Sequence, residues 1–487
     1  MASASGGGRR LLRDVARGRP VDGDRLAGYL RRAAARQDRV RVEGARCTGP
    51  VDLTHARLAA HLELVDCVFD GGLRLDGAVL DSLDLTGSRL AALVADGIRV
   101  DGDLVLRGVR TAFPPSAVVP LSDPGTSSGD RVEAVRRVRD QEGEAPVRLV
   151  AARVEGDVVL EDAVLGGPGP WTLFAPRLTV GGSLRARAVR TPGALYLRDA
   201  RVGHSVLLDG ARVGAVDATN LRCDGGFYAD WGFVCPGPVR LRGAEVAGIV
   251  TFHDALLTAP SGVAVLTRLR TARLRIDFRA PPAGGVGLRD ARVGSCVDAP
   301  GSWPAAGALD VEGFGYDRIA ATEPVGVRER LRWLARDTGA TAGSFEQLAQ
   351  SYQRAGEERS ARLVRLARER RIRVSERLPG RMWGALQDVL FGYGYAPGRA
   401  FGWLVALVGA GSLWFATHEQ TPVRRGAREW DAVLYALDLV VPFAGLGQRA
   451  AWDPAGADRA VAVTLMFAGW LLATAVIAGA SRTLGRH

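Results

Sequence analysis

The stretch LRLDGAVLDSLDLTGSRL, at Leu73–Leu90, contains the same pattern twice in succession. Each copy has apolar residues at its first and third positions, a small residue at the sixth and an apolar residue at the eighth. Polar residues, often Asp or Gly, occupy the positions between them. The residues that carry the pattern are Leu73, Leu75, Ala78 and Leu80 in the first copy and Leu83, Leu85, Ser88 and Leu90 in the second.

The same unit extends over much of the chain. Units follow one another from Val40 to Leu104, resume at Val147 and continue, more weakly at the end, to Leu309. Most successive units begin ten or eleven residues apart. The pattern lapses over 112–146, and we expect this segment to form a loop extruded from the repeat.

The spacing of the apolar residues predicts short strands joined by corners. Two apolar residues separated by two positions face the same side of a strand, whereas an amphipathic helix needs spacings of three and four. The Gly or Asp after each pair allows the backbone to turn. A chain that alternates short strands and corners at a fixed interval winds a solenoid. Two units fill one four-sided coil of about 20–22 residues, so we predict about ten coils.

Short words within the repeat resemble a known family. LDLTG, LLDGARVG and LRGAEV are similar to degenerate pentapeptide repeats. The resemblance extends over 40–319 and implies a mainly β fold, a right-handed parallel β-helix with four sides. It implies no particular activity.

Composition and periodicity divide the chain into four parts. Residues 1–39 are expected to form a basic helical cap, because the open end of a β-helix exposes unpaired strand edges. The solenoid occupies 40–319. A helical period and a positive charge indicate a basic helical connector over 320–395. The last part, 396–487, is the most apolar.

Two uncharged apolar runs in the last part predict a transmembrane hairpin. Ala400–Thr417 has 18 residues and Ala460–Ser481 has 22. At about 1.5 Å per residue, such lengths approach the roughly 30 Å of bilayer hydrocarbon. Arginines flank the outer ends of both runs, so we expect both chain ends on the cytoplasmic side. The expected location is the cytoplasmic membrane, with a multi-pass chain, an integral membrane partner and a cytoplasmic N-terminal domain.

The segment between the two runs predicts a short apolar helix over 430–447. A span, a short helix, a glycine turn and a second span resemble the plan of two-span ion channels. No T-V-G-Y-G filter is present, so a structural role for this helix is the alternative. The candidate residues of a pore or re-entrant segment are Asp431, Asp438, Pro442, Gly445 and Gly447.

A dense basic run precedes the first apolar stretch. Arg359–Arg381 contains nine arginines and two glutamates. Beside a membrane, such a run attracts anionic lipid, and a solvated helix face is the alternative. The arginines expected to contact anionic lipid are Arg368, Arg370, Arg371, Arg373, Arg377 and Arg381.

The net charge of +11 lies outside the solenoid, whose two repeat blocks contain 27 arginines and 27 acidic residues. DNA binding requires concentrated positive charge, so no nucleic-acid partner is expected. Ladders of Arg and Asp are instead expected to face an unknown protein partner or further copies of the chain. The rod arginines expected to be exposed include Arg198, Arg201, Arg212, Arg240 and Arg242.

No motif indicates a metal or a cofactor, and none is expected. The five cysteines form no C-x-x-C pair and are expected to be buried apolar residues. No G-x-G-x-x-G lies between a strand and a helix. A second resemblance is carried by FEQLAQSYQRAGEERSAR, FGYGYAPGRAFGWL and LDLVVPFAGLGQ. These segments resemble uncharacterised actinobacterial membrane proteins often labelled membrane-associated oxidoreductases, and that label implies redox chemistry.

Three functions remain open from the sequence. The first is a membrane-anchored β-helix scaffold that presents a cytoplasmic protein-interaction surface and catalyses no reaction. The second is a channel-like oligomer with two spans and a re-entrant helix per subunit. The third is the oxidoreductase of the second resemblance. Homo-oligomerisation is compatible with each of them.

Overall fold

The computed structural model contains two compact units, Met1–Gly356 and Glu357–His487. The described residues are 6–111, 145–260, 262, 264–374, 397–418, 421–423, 429–441 and 445–484; side chains are described for these except at 6–8, 372–374, 397–401, 421 and 473–484.

The first unit is a parallel β-solenoid of about 12 turns. Each turn passes through four faces, and strands of successive turns pair in parallel within each face. On the second face, Val51 pairs with Leu73, and Leu73 pairs with Leu93. These partners are 22 and 20 residues apart, the length of two predicted units. The predicted β-solenoid is therefore confirmed, with about 12 turns rather than about ten.

The first two faces are built mainly from strands of two residues. The first face contains Val21–Asp22, Arg46–Thr48, Val68–Phe69, Arg89–Leu90, Arg110–Thr111, Val234–Cys235 and Leu256–Leu257. The second face contains Val51–Asp52, Leu73–Arg74, Leu93–Val94, Val147–Arg148, Trp171–Phe174, Val239–Arg240, Ala264–Val265, Val286–Gly287 and Leu309–Asp310. The longer strands Arg190–Tyr196 and Arg212–Asp217 bend from the first face to the second.

The other two faces follow the same plan. The third face contains Arg99–Val100, Arg153–Val154, Thr179–Val180, Arg201–Val202 and Arg222–Cys223. The fourth face contains Arg39–Glu43, Leu104–Val105, Val158–Val159, Leu184–Arg185, Val206–Leu207 and Phe227–Tyr228. Strands that bend from the third face to the fourth are Arg57–Val65, Val79–Asp84, Glu245–Thr251, Arg270–Ile276, Arg292–Asp298 and Gly315–Ala321.

The interior of the solenoid is filled by the residues that carry the repeat. Leu75 and Leu208 are completely buried, as expected for inward strand positions. Ser88, at a small-residue position, is also completely buried. Its hydroxyl donates to the carbonyl oxygen of Leu64 at 2.7 Å and accepts from the N–H of Cys67 at 3.0 Å. The one polar side chain at this inward position is thus fully hydrogen-bonded, as burial requires.

Corners of neighbouring turns stack on one another in the left-handed backbone conformation. Asp199, Asn220 and Gly243 occupy one corner in successive turns, with φ of 58°, 56° and 65°. Asp, Asn and Gly adopt this conformation at lower cost than other residues. The side-chain amide of Asn220 donates to the carboxylate of Asp199 at 2.9 Å. The repeated Asp or Gly after each apolar pair therefore supplies the corner.

Two helices precede the regular turns, α1 (Gly6–Ala16) and α2 (Gly23–Ala34). Asp22 caps α2, because its carboxylate accepts two backbone N–H bonds from the first turn at 3.0 and 3.2 Å. Leu26 and Leu30 are completely buried where α2 contacts the first strands. This helix covers the apolar end of the solenoid.

The other end of the solenoid is held by a buried ion pair. Arg330 donates to both carboxylate oxygens of Asp298, at 2.6 and 3.1 Å. The exposed fractions of the two side chains are 3% and 1%. The rings of Trp303 and Trp333 lie 5.4 and 5.3 Å from the guanidinium carbon. The helices that follow the last strand within this unit are α3 (Val327–Leu334) and α4 (Ala342–Arg354).

The second unit is mainly helical. Its elements are α5 (Glu358–Val374), α6 (Pro397–Ala416), α7 (Ala432–Val440), α8 (Gln448–Ala451), α9 (Ala457–Leu484) and the paired strands Thr421–Pro422 and Trp452–Asp453. Helices α6, α7 and α9 pack around Phe415, Tyr435 and Leu465. A Cβ at Gly469 would lie 2.1 Å from the carbonyl oxygen of Val440, so glycine is needed where α9 crosses α7.

The predicted transmembrane hairpin is wrong. Among the described residues, no helix is both long enough and apolar enough to cross a membrane. The predictions of a multi-pass chain, an integral membrane partner and a location in the cytoplasmic membrane are corrected with it.

Leu208 faces the core of the solenoid and Leu207 faces outward, so replacing these adjacent leucines should change the free energy of unfolding by different amounts. We expect Leu208→Ala to lower the free energy of unfolding by about 2–5 kcal/mol, because it leaves a cavity between turns. Leu207 points outward and is half-buried, so we expect Leu207→Ala to cost less than about 1 kcal/mol. Urea unfolding followed by circular dichroism measures both. Equal losses would contradict the assignment.

The buried ion pair predicts a pH-dependent loss of stability. Arg330→Met leaves Asp298 buried without its counter-ion, which we expect to cost about 3–5 kcal/mol at neutral pH. Burial raises the pKa of Asp298, and the hydrogen bond and charge of Arg330 oppose this rise, so the folded variant without Arg330 binds this proton more readily than the folded wild-type protein does. The loss should therefore shrink as the pH falls toward the ordinary carboxyl value and grow as the pH rises.

Chemical denaturation between pH 4 and pH 8 measures this effect. Arg332→Met is the matched control, because Arg332 lies exposed on the same helix and its replacement should change stability by less than about 0.5 kcal/mol. A loss for Arg330→Met that is the same at every pH would refute the explanation.

Candidate binding surface

The two aspartates proposed for a pore serve as local hydrogen-bond acceptors. Asp431 is the N-cap of α7, and its carboxylate accepts two backbone N–H bonds of the first turn at 2.8 and 3.0 Å. Asp438 is buried and accepts the backbone N–H groups of Leu446 at 3.0 Å and Arg449 at 2.9 Å. The two carboxylates therefore hold both ends of α7 and the turn that follows it.

The remaining pore candidates lie in or near that turn. Gly445 and Gly447 have φ of 54° and 77°, in the left-handed region. Pro442 lies outside the described residues. A channel also requires the two spans, and the described helices do not supply them.

Replacement of Asp438 tests this local role. We expect Asp438→Ala to destabilise the second unit by about 2–4 kcal/mol, because it removes the buried carboxylate that accepts hydrogen bonds from the N–H groups of Leu446 and Arg449. Asp431→Ala is the comparison, and loss of a helix cap typically costs about 1 kcal/mol. Thermal unfolding followed by near-ultraviolet circular dichroism reports on both. A smaller loss for Asp438→Ala than for Asp431→Ala would contradict the assigned contacts.

The basic run before the second unit's core lies partly on α5. Arg368, Arg370 and Arg371 lie near the end of this helix, which also includes Arg373. Arg377 and Arg381 lie outside the described residues. Contact of these arginines with anionic lipid stays a prediction.

The reactive side chains of the solenoid are buried or held by neighbours. All five cysteines are free and buried. Burial raises the pKa of both Cys47 and Cys235 to about 12, which keeps them as thiols and makes them poor nucleophiles. His61 hydrogen-bonds Ser82 at 2.8 Å through its Nδ1 atom. Within the described ranges, no three His, Cys, Asp or Glu side chains are placed to hold a metal ion.

One histidine belongs to a denser polar cluster on the fourth face. Nδ1 of His253 lies 2.7 Å from a carboxylate oxygen of Asp277, which also accepts two bonds from Arg275 at 2.9 and 2.7 Å. The indole of Trp231 meets the imidazole edge-on, with 4.6 Å between ring centroids. This cluster links three successive turns and fixes the orientation of the imidazole.

The most extended polar feature of the solenoid is a column of arginines on its third face. Strand pairing aligns, turn by turn, Arg57, Val79, Arg99, Arg153, Thr179, Arg201, Arg222, Glu245, Arg270 and Arg292. All seven arginines are exposed. They are called the third-face ladder: Arg57, Arg99, Arg153, Arg201, Arg222, Arg270 and Arg292.

Most of the third-face ladder has no counter-ion. Arg222 lies 3.6 Å from Glu245, and Arg292 donates to the carbonyl oxygen of Gly313 at 2.7 Å. The other five guanidinium groups have neither an ion pair nor a hydrogen bond within the part of the chain that the structure describes: Arg57, Arg99, Arg153, Arg201 and Arg270.

Many arginines of the second and fourth faces differ, because they pair with acidic residues of the same or a neighbouring turn. Their N–O distances are 2.7–3.3 Å in several pairs. The repeat blocks of the solenoid are therefore neutral in total, but their arginines are not paired equally on all faces. Paired arginines include Arg107 and Arg185 with Glu161, Arg187 with Asp209, Arg198 with Asp217, Arg275 with Asp277 and Arg289 with Asp310.

The first face carries a second, shorter column of the same kind. Its outward arginines are exposed and have no polar partner for their guanidinium groups among the described residues. In the direction of the chain this column reads Arg46, Val68, Arg89, Arg110, Val164, Arg190, Arg212 and Val234.

A surface groove runs along the third-face ladder. It is lined by Asp199, Arg201, Asn220, Arg222, Gly243 and Glu245. A Cβ at Gly243 would lie 2.8 Å from the amide oxygen of Asn220, so the glycine keeps the groove open. Arg201 and Arg222 occupy adjacent turns, about 4.8 Å apart along the solenoid. Planar guanidinium groups carried by adjacent turns can both donate to one carboxylate or phosphate.

The sequence anticipated only part of this surface. Arg201 and Arg212 are exposed, as predicted, and have no partner among the described residues, whereas Arg198 is half-exposed and forms an ion pair with Asp217. Arg240 is only 8% exposed and Arg242 is half-buried, so the predicted exposure of Arg240 is wrong. The columns were missed because the repeat unit of ten or eleven residues is only half a turn. An alignment of these units places residues of the first face and the third face at the same position. An alignment of full turns separates the two faces.

No family model matches the chain, and no curated protein or solved structure matches it significantly. The class of the chain therefore follows from its structure, a parallel repeat β-solenoid with helices after it.

Proposed function

We propose that the protein is a scaffold that binds an acidic partner protein along the third face of its solenoid. The observation that carries this proposal is the third-face ladder itself. Five of its seven guanidinium groups lack a partner among the described residues, although many arginines on the second and fourth faces have one.

The ladder is electrostatically unfavourable without a ligand. Two unit charges about 4.8 Å apart repel by about 1 kcal/mol even in water. The carboxylates of a partner would remove this repulsion and form charge-assisted hydrogen bonds, which are stronger than neutral ones. Complementary charge also favours rapid association and excludes partners of the wrong sign.

The distribution of acidic residues favours a protein over a nucleic acid. Asp101, Glu155 and Asp224 are exposed two positions after ladder arginines, so they lie on the same outer surface. The uniformly charged backbone of a nucleic acid would meet these acids as well as the arginines. A protein can place its carboxylates only where the arginines are.

The length of the ladder favours an extended contact. Nine steps of about 4.8 Å separate Arg57 from Arg292, which gives a surface about 43 Å long. A rigid surface of this length suits a scaffold, because repeat solenoids bind partners along extended faces. The proposal includes no catalytic step. The five cysteine thiols are buried, so none is placed to act as an exposed nucleophile.

The finer family assignment also stays a proposal. Two repeat units per turn and small residues beside the corners support the resemblance to pentapeptide repeats. The resemblance to the actinobacterial group labelled membrane-associated oxidoreductase adds no cofactor site among the described residues, so the oxidoreductase hypothesis has no structural support of its own.

Binding of a fluorescent glutamate-rich peptide to the full chain tests the proposed function by anisotropy. We expect Arg201→Gln with Arg222→Gln to weaken binding at least tenfold, about 1.4 kcal/mol, since both line the groove. Arg107→Gln with Arg187→Gln is the matched control, because it removes the same charge from paired arginines of the fourth face. We expect this control to weaken binding less than threefold.

Three outcomes would overturn the proposal. These are no binding of the peptide at low salt, equal effects of the two double variants, and tighter binding of single-stranded DNA of the same charge. The last outcome would identify the surface as a nucleic-acid site. Binding should also weaken with added salt, because exposed charges are screened.

A further inference from the structure

The third-face ladder is not uniform along its length. After its first members, two arginines in adjacent turns alternate with one turn that carries another residue. In order along the face, the column reads Arg99 and Arg153, then Thr179, then Arg201 and Arg222, then Glu245, then Arg270 and Arg292. The arginines therefore form doublets that repeat every third turn.

The segment at 112–144 does not interrupt this order. Arg99 pairs directly with Arg153 in parallel register, although the two residues are 54 positions apart in sequence. The first face shows the same alternation, because Arg89 and Arg110 are followed by Val164 and then by the next two arginines. Two separate faces thus place arginine doublets at intervals of three turns, or about 14 Å.

We infer that the third face binds an extended acidic segment of a partner protein that carries Asp or Glu at every fourth residue. This inference rests on the proposed function and specifies its ligand. One carboxylate can accept hydrogen bonds from both guanidinium groups of a doublet, since the strands that carry them are about 4.8 Å apart. An extended chain advances about 13–14 Å in four residues, which matches the distance between doublets.

Other regular spacings fit the face poorly. Side chains of an extended chain alternate between its two sides, so acids at every third or fifth residue would point alternately toward and away from the solenoid. In an α-helix, four residues advance only about 6 Å, which is less than half the distance between doublets. The geometry therefore selects an extended segment with acids four apart.

The turns between the doublets add a second element of specificity. A residue two positions after each acid lies on the same side of the extended segment, about 7 Å further along. One such residue would face Thr179, and the next would face Glu245. Glu245 is exposed and would repel an acid at that position, whereas it would attract a lysine. The expected pattern is acid, any residue, small, any residue, acid, any residue, lysine, any residue, acid, or its reverse.

Two peptides of identical composition test the spacing on the full chain. The first is a nine-residue peptide with glutamate at positions one, five and nine and lysine at position seven. The second carries three glutamates at positions one, four and seven and the lysine at position nine. We expect the first peptide to bind at least tenfold more tightly in anisotropy or calorimetry.

The Glu245→Arg variant tests whether the spacing of the doublets causes the preference for the first peptide. Glu245 is exposed, so the substitution preserves the fold, and it joins the second and third doublets into a continuous ladder. We expect the variant to bind both peptides and to prefer the first by less than threefold.

The outcomes distinguish this inference from the proposed function. Equal binding of both peptides by the wild-type chain would overturn the fourth-residue spacing and leave an acidic partner supported. Retention of the full preference in Glu245→Arg would also overturn it. Failure of both peptides and of the glutamate-rich probe would overturn the proposed function itself.

Discussion

The structure of the first unit depends on the parallel pairing of each turn with the next. This pairing sets a spacing of about 4.8 Å between equivalent residues of successive turns. Inward positions such as Leu75 and Leu208 then stack into a continuous core. Outward positions stack in the same way, so any residue type that recurs at one position becomes a column. The arginine columns are a direct result of this constraint.

Charge must therefore be considered face by face. A solenoid with 27 arginines and 27 acidic residues in its repeat blocks is neutral as a whole. Yet Arg107 and Arg289 have carboxylate partners, whereas Arg99 and Arg153 have none in the described structure. An average over the sequence conceals this difference, because residues 20–26 positions apart in the chain are neighbours on the surface. The binding hypothesis follows from the segregation and not from the total.

Some features were predictable because they depend on local pattern. The pair spacing at Leu73–Leu90 predicted the inward residues, and the Asp or Gly after each pair predicted the corners. Other features depend on contacts between distant residues. The buried pair of Asp298 and Arg330 joins residues 32 positions apart, which no local pattern indicates. The acceptor role of Asp438 depends on the turn after α7. The two apolar runs were interpreted as spans because length and composition alone do not distinguish a bilayer span from a helix that packs against neighbouring helices, as α6 and α9 do.

The most direct test of the account is the reactivity of individual arginines toward phenylglyoxal, followed by peptide mass spectrometry. Ladder arginines such as Arg99, Arg153 and Arg201 should react fastest, and arginines with carboxylate partners, such as Arg107 and Arg187, should react more slowly. Addition of a glutamate-rich peptide should protect the ladder and leave the paired arginines unchanged. Similar rates in both groups would contradict the claim that the ladder arginines are unpaired, and protection spread evenly over all faces would contradict the claim that the third face binds the partner.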